Sequence, residues 1–415
     1  MLRRRDRSTA WGNSSPSSSL LGMSRSSILF PRFENPRPSS GRLEYCRQTN
    51  LRSQEVLPTE FTSLYKLSRT LFQCILHFSS YNRAIMALVD SYGRSQETLR
   101  ISVTDRCQMR CRYCLPNGAP PPMPRDAILS YEEIATVATV SSELGIKRFR
   151  LTGGEPLLRR HLHRLVRLIH DQCAPDTIAL TTNGLLLSDQ LDSLVHAGLT
   201  HISFSLDTTD AEAFQRLTGL DALPRVLAAL EKAVCYRSLS VEINTVALSG
   251  STERQIVNLL ELGRKHDIAV RFIELMPFED VEWKREAVLT GERILEIIRT
   301  FYGADRVEEI ERSRPAAPAR RFRFKDGRGG FGLIEPVSRP FCEKCDRLRL
   351  RSDGRLFHCL FDREGIDLRQ PLRDGDREAV RKRIQECVEA KGPGGMLELQ
   401  KQVERPARIM ASIGG

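Results

Sequence analysis

The sequence of 415 residues lacks any long apolar run. A spanning helix needs roughly 18 such residues in succession. The best stretch, residues 61–80, is broken by Lys66 and Arg69. A Gly-x4-Gly-Lys-Ser/Thr loop, which cradles phosphates through main-chain N–H groups, is also absent. Acidic residues are scarce at the start: residues 1–85 carry 13 Lys+Arg against 5 Asp+Glu, leaving 50 against 47 for the rest. The net charge of +11 therefore sits mostly in that leader. A surface that tracks nucleic-acid phosphates needs its basic residues on the folded body, so neither a nucleic-acid nor a membrane partner is expected.

Cysteine is present, eleven in all, yet the pattern does not suit a disulfide framework, which belongs to short secreted chains. Cys46, Cys74, Cys173, Cys235 and Cys387 are scattered. The other six form two tight groups, 107/111/114 and 342/345/359. Such clustering reads as metal ligation.

Three segments are expected. Residues 1–85, rich in Ser and Arg, read either as an organellar transit peptide or as an over-long start ahead of Met86. From residue 99 the chain alternates. Strand-like runs at 99–104, 148–152, 178–182, 201–206, 241–246 and 270–275 are short, apolar or β-branched, and end in polar or glycine-containing sequence. Helical stretches lie between them. Ser130-x-x-Glu133 is a capping box closed by Gly145, Ser188 is a cap ahead of Leu191, and Thr252-x-x-Gln255 repeats the device. Six such units predict a parallel α/β fold, a partial (β/α)6 TIM-type barrel over 86–276. Polar residues at the strand ends (Cys107, Gly153-Gly154, Thr181-Thr182-Asn183, Ser205, Asp207, Asn244, Glu274 and Met276) would converge on its mouth. A helix over 291–302, an Arg- and Pro-rich linker over 312–321 and the second cysteine group make 277–415 a C-terminal extension.

The string Cys107-x3-Cys111-x2-Cys114 can hold three corners of a 4Fe–4S cube. The fourth iron then keeps an open position, as catalytic metal sites do. Structural zinc needs a fourth ligand, and the next candidate, His161, is almost 50 residues away. At this point the chain resembles the radical S-adenosylmethionine (SAM) superfamily over roughly residues 95–280. The resemblance matches Tyr113 to an aromatic SAM contact, and Gly153-Gly154-Glu155-Pro156 to the segment that approaches the SAM amino group. A tight strand-to-helix turn would use those glycines anyway.

By spacing alone, Cys342-x2-Cys345-x13-Cys359 with His358 leaves a Cys3His zinc site and a second cube both open. Arg347, Arg349 and Arg351 alternate on a strand-like run, so their guanidiniums face one way, where they could pair with phosphate. A solvated basic strand is the plainer reading. With the segments Leu99-Arg-Ile-Ser-Val-Thr-Asp-Arg-Cys107, Thr181-Thr-Asn-Gly184, Ser205-Leu-Asp207, Phe341–Arg349 and Gly414-Gly415, the chain resembles the molybdenum-cofactor biosynthesis protein A family over about 86–415.

That resemblance implies a radical SAM cyclase acting on GTP, with two 4Fe–4S clusters. It places SAM against Tyr113, Gly154, Ser205 and Met276. It places GTP against Arg100, Arg150, Thr181, Arg347, Leu348 and Arg349, and gives the Gly414-Gly415 tail a part in catalysis. It further implies an electron donor and a downstream cyclic pyranopterin monophosphate synthase, leaves a homodimer open, and favours the cytoplasm, or the mitochondrial matrix if the leader is a transit peptide. A radical SAM enzyme acting on a peptide would carry more C-terminal cysteines; a zinc-bearing nucleic-acid module is the alternative from outside enzymology. One departure stands out. Glu242 occupies a position where the family usually has a GTP-contacting lysine, and a carboxylate should repel a triphosphate unless another basic residue compensates.

Overall fold

A computed structural model of the protein describes residues 87–115, 117–278, 283–285 and 288–399. The leader read over 1–85 and the Gly414-Gly415 tail lie outside the described residues. Six strands open the fold: β1 (Thr98–Ser102), β2 (Arg148–Thr152), β3 (Thr177–Thr182), β4 (His201–Ser205), β5 (Ser240–Ala247) and β6 (Ala269–Glu274). Each pairs in parallel with the next. The intervening helices are α1 (Tyr131–Glu143), α2 (Leu162–Cys173), α3 (Leu187–His196), α4 (Ala211–Thr218), α5 (Leu223–Val234), α6 (Ile256–His266) and, after β6, α7 (Gly291–Tyr302). This is the six-unit α/β pattern the sequence predicts.

Alternation along the strands separates two faces. On β5, Val241, Ile243, Thr245 and Ala247 are buried while Glu242, Asn244 and Val246 are half-buried. Fully buried strands of a parallel sheet usually read as continuous apolar runs. Here one face packs on helices, with Leu99, Ile101, Phe149, Leu151, Leu180, Ile202 and Phe204 all within 1% of complete burial. The other face carries polar side chains, because it lines a cavity.

At α1 the predicted capping box is present: Glu133 N donates to Ser130 Oγ at 3.1 Å, and Ser130 N to Glu133 Oε2 at 2.6 Å. The other two expected caps do not form. Helix α3 starts at Leu187, one residue before Ser188, with no side-chain cap. Thr252 Oγ1 accepts from Leu248 N at 2.8 Å, bracing a 3-10 turn, and α6 begins only at Ile256. Short hydroxyl side chains serve local turns as readily as helix ends.

The C-terminal segment builds the sheet at both edges. Strand β9 (Gly330–Ile334) pairs in parallel with β6, and β10 (Arg347–Leu350) in parallel with β1. Outside them lie antiparallel β7 (Val307–Ile310) and β8 (Ala319–Phe324) on one side, β11 (Arg355–Phe357) and β12 (Ile366–Asp367) on the other. The expected linker over 312–321 thus runs into β8. The order β12-β11-β10-β1-β2-β3-β4-β5-β6-β9-β8-β7 leaves the two end strands unpaired with each other, an open barrel. Helices α8 (Arg369–Arg373), α9 (Arg377–Glu389) and α10 (Gly395–Leu399) complete the described chain, α9 lying against α1. Among the described residues no helix is long and apolar enough to cross a membrane.

Candidate active site

The polar face of the sheet encloses a cavity of about 1040 Å³, at the upper end of the ~300–1,000 Å³ common for small-molecule sites. All six clustered cysteines line it. So do Tyr113, Gly154, Ser205 and Met276, together with Arg100, Arg150, Thr181, Arg347 and Arg349. Leu348 does not: its side chain is fully buried in the core, because alternation on β10 turns it away from the face that Arg347 and Arg349 occupy. Only its main chain is on offer to a ligand.

The loop carrying Cys107, Cys111 and Cys114 follows β1 and is clamped by the glycine turn after β2. Gly154 N donates to Thr104 O at 2.9 Å and Glu155 N to Arg106 O at 2.7 Å. The approach is so close that a Cβ on Gly154 would sit 2.2 Å from Arg106 O. Glu155 is buried beneath and accepts from Leu157 N, Thr182 Oγ1 and Asn183 N at 2.8–3.0 Å; burial pushes its carboxyl up to about 7 against the pull of these donors. Asn183 Nδ2 in turn reaches the Cys107 sulfur at 3.9 Å. Tyr113 Oη donates to Asp207 Oδ2 at 2.8 Å, and burial raises Asp207 to about 6.

The second group lies toward the other end of the strands, since Cys345 precedes β10 whereas Cys107 follows its parallel neighbour β1. Cys342 opens a 3-10 turn, Cys345 ends it just before β10, and Cys359 follows β11. Burial first, then Asp207 and the neighbouring thiols of its group, pushes Cys111 up, and burial with Cys359 and Cys345 does the same to Cys342. Yet among the described residues no three His, Cys, Asp or Glu side chains converge tightly enough for a single metal ion. His358 Nδ1 instead lies 3.0 Å from Asp362 Oδ2, so the Cys3His zinc site is not assembled. Each group offers three thiols to the cavity, the donor set of a cube with one iron left open.

Between the two groups stands a wall of arginine. Register places Arg349, Arg100 and Arg150 side by side on β10, β1 and β2. Like charges directly opposite one another on adjacent strands repel. Burial first, then Arg349, Arg150, Arg347 and Arg271, drives Arg100 well below its usual range. Burial likewise brings Arg150 and Arg349 down to about 10. An arrangement of this kind is relieved by a bound polyanion. Arg271 was not singled out by its sequence, although its place between apolar Val270 and Phe272 on β6 assigns it to the cavity face. It answers the Glu242 departure: Arg271 Nη2 lies 2.5 Å from Glu242 Oε1, Ser203 Oγ donates to the same oxygen at 2.5 Å, and Arg150 Nη2 is 3.8 Å away.

Residues 101–263 match the Radical SAM superfamily, and residues 268–396 match Molybdenum Cofactor Synthesis C. A GTP 3′,8-cyclase of Rhodopirellula baltica is 37% identical over 335 residues, covering 80% of this chain and 92% of that one. Those of Chlorobaculum tepidum (37%, 80% of this chain, 98% of that one) and Mycolicibacterium smegmatis (38%, 79% and 92%) are as similar. Among solved structures, Streptococcus suis SuiB bound to S-adenosylmethionine shares the fold, with a TM-score of 0.52 at 13% identity over 90% of this chain and 86% of that one. Similarity at that level across nearly the whole length of the relatives, on top of a barrel that carries both cysteine groups, means that this chain belongs to the GTP 3′,8-cyclase family of radical SAM enzymes.

Proposed function

We propose that the protein cyclises GTP to 3′,8-cyclo-7,8-dihydro-GTP, an early step of molybdenum-cofactor biosynthesis. The observation that carries this reading is the in-register row Arg349–Arg100–Arg150 facing the same cavity as the cysteine loop after β1. When bound, the first 4Fe–4S cluster and SAM supply a 5′-deoxyadenosyl radical able to take the ribose 3′ hydrogen, so that the sugar carbon can close on C8 of guanine.

The residues divide the work by position. Cys107, Cys111 and Cys114 would hold the first cluster, with Asn183 supporting the Cys107 sulfur. Tyr113, Gly154, Ser205 and Met276 would flank SAM. Tyr113 is oriented by its hydrogen bond to Asp207. The triphosphate would lie on Arg100, Arg150, Arg347 and Arg349 with Thr181, a role in which forked guanidiniums excel. Arg271 joins them, and Leu348 contributes main chain only. Cys342, Cys345 and Cys359 would hold a second cluster beside the guanine, and the family resemblance gives the Gly414-Gly415 tail its assisting role. An external electron donor, delivery of product to a cyclic pyranopterin monophosphate synthase, a homodimer, and a cytoplasmic site of action (the mitochondrial matrix if the leader is a transit peptide) belong to the same proposal.

The test separates the two cysteine groups. Cys342→Ala, reconstituted without oxygen, is expected to keep SAM cleavage by reductant while GTP conversion falls below detection by mass spectrometry. Undiminished GTP turnover in that variant overturns the assignment.

A further inference from the structure

Residues 391–397, Lys-Gly-Pro-Gly-Gly-Met-Leu, wrap the second cysteine group from behind. A Cβ on Gly394 would fall 2.2 Å from the Cys342 Cβ, and one on Gly395 would fall 3.0 Å from the Cys359 sulfur. The main-chain N–H groups of Met396 and Leu397 point to the Cys342 sulfur. Lys391, only 4% exposed, sets its ammonium among four acceptors: Gln96 Oε1 at 2.6 Å, the main-chain oxygens of Cys345 and Arg347 at 3.1 Å each, and the Cys345 sulfur at 3.7 Å. No carboxylate is among these partners. The nearby Asp90 is engaged by Arg94 Nε at 2.7 Å and by Gln96 Nε2 at 3.1 Å. A buried charge is costly unless something opposite faces it; the Cys345 sulfur lies in direct reach of this one, and Asp90 acts on it from behind Gln96.

The first group has different surroundings: a neutral amide, Asn183 Nδ2, reaches the Cys107 sulfur at 3.9 Å, where the second group has the Lys391 ammonium at 3.7 Å from the Cys345 sulfur. Reducing a cluster by one electron adds one negative charge, so adjacent cations favour the reduced form and adjacent carboxylates oppose it. We propose that Lys391 is a positioning residue for the second cluster: its ammonium orients the Cys345 sulfur and makes that cluster easier to reduce. The inference deepens the reading of Cys342, Cys345 and Cys359 as cluster ligands, and rests on it.

The experiment uses the full chain carrying Cys107→Ala, Cys111→Ala and Cys114→Ala, so that any cluster signal comes from the second site. Material reconstituted without oxygen must first bind about four irons per chain; if it does not, the cluster reading fails and Lys391 is not at issue. The midpoint potential is then followed by electron paramagnetic resonance. Lys391→Met is expected to shift the reduction equilibrium roughly tenfold toward the oxidised form, ~59 mV for a one-electron couple, and Lys391→Arg to restore most of it. An unchanged potential in an iron-replete Lys391→Met or Lys391→Gln variant overturns the proposal. If both neutral variants lose their iron, the melting temperature of the iron-free proteins decides. A value equal to the parent's means the cluster itself needs the charge and supports the proposal. A lowered value means Lys391 serves only the fold, and overturns it.

Discussion

Glu242 is a carboxylate in a bowl of guanidiniums, and its two opposed effects can be weighed. It holds Arg271 at 2.5 Å and lies 3.8 Å from Arg150, which pre-orients both forks and offsets part of their mutual repulsion. Against that, it places a negative charge on the face that would receive phosphates, and it occupies the donors that a phosphate would use. At a few ångströms in a partly buried site the repulsion outweighs the ordering, since several phosphate charges meet the carboxylate and would themselves order the forks that Glu242 now holds. Glu242→Gln is therefore expected to lower the KM for GTP by about 1 kcal/mol, roughly fivefold, with kcat little changed. Steady-state assays check it, and a raised KM would mean that ordering is the larger effect. The sequence exposed the problem at Glu242 without its resolution. Arg271 is 29 positions further on, and only the β5–β6 register, which sets Asn244 beside Arg271, brings the two side chains together.

At the scale of elements, the turn after β2 holds the cysteine loop. Gly154 has backbone on the side where a Cβ would project: 2.2 Å from Arg106 O and 3.0 Å from Cys107 N. Main chain cannot yield as a flexible side chain does, so Gly154→Ala is expected to displace the Cys107 loop. Iron content should fall by about four atoms per chain, leaving whatever iron the Cys342, Cys345 and Cys359 group holds. Full iron content in that variant would show that the loop tolerates the shift. Elements with strong local signals were legible beforehand: the Ser130 capping box, the six strands, and α7, whose expected range of 291–302 is the one observed. Thr252 misled because its hydroxyl braces a local turn, and Ser188 because the helix begins one residue ahead of it. Leu348 shows the same limit on a strand. A motif carries three adjacent residues into a site, while alternation lets only Arg347 and Arg349 face it.

For the whole molecule, the cavity exists because the C-terminal segment adds strands to both edges of one sheet. Strand β9 beside β6 brings in Gly332 opposite Arg271, and β10 beside β1 brings in Arg347 and Arg349 with their neighbouring cysteines. These pairings join residues far apart in the chain. No local pattern announces them, which is why the sequence suggested an extension packed on a barrel and the structure has the two continuous. One sheet thus carries both cysteine groups and the arginines between them, and the account requires that they act together on one nucleotide. The most direct test incubates oxygen-free reconstituted protein with SAM, a strong reductant and GTP, and quantifies nucleosides and nucleotides by mass spectrometry. The account predicts 5′-deoxyadenosine and an isomer of GTP, cyclised between the sugar and C8, formed in equal amounts. Cleavage of SAM at the same rate with and without GTP, leaving GTP unaltered, would contradict it.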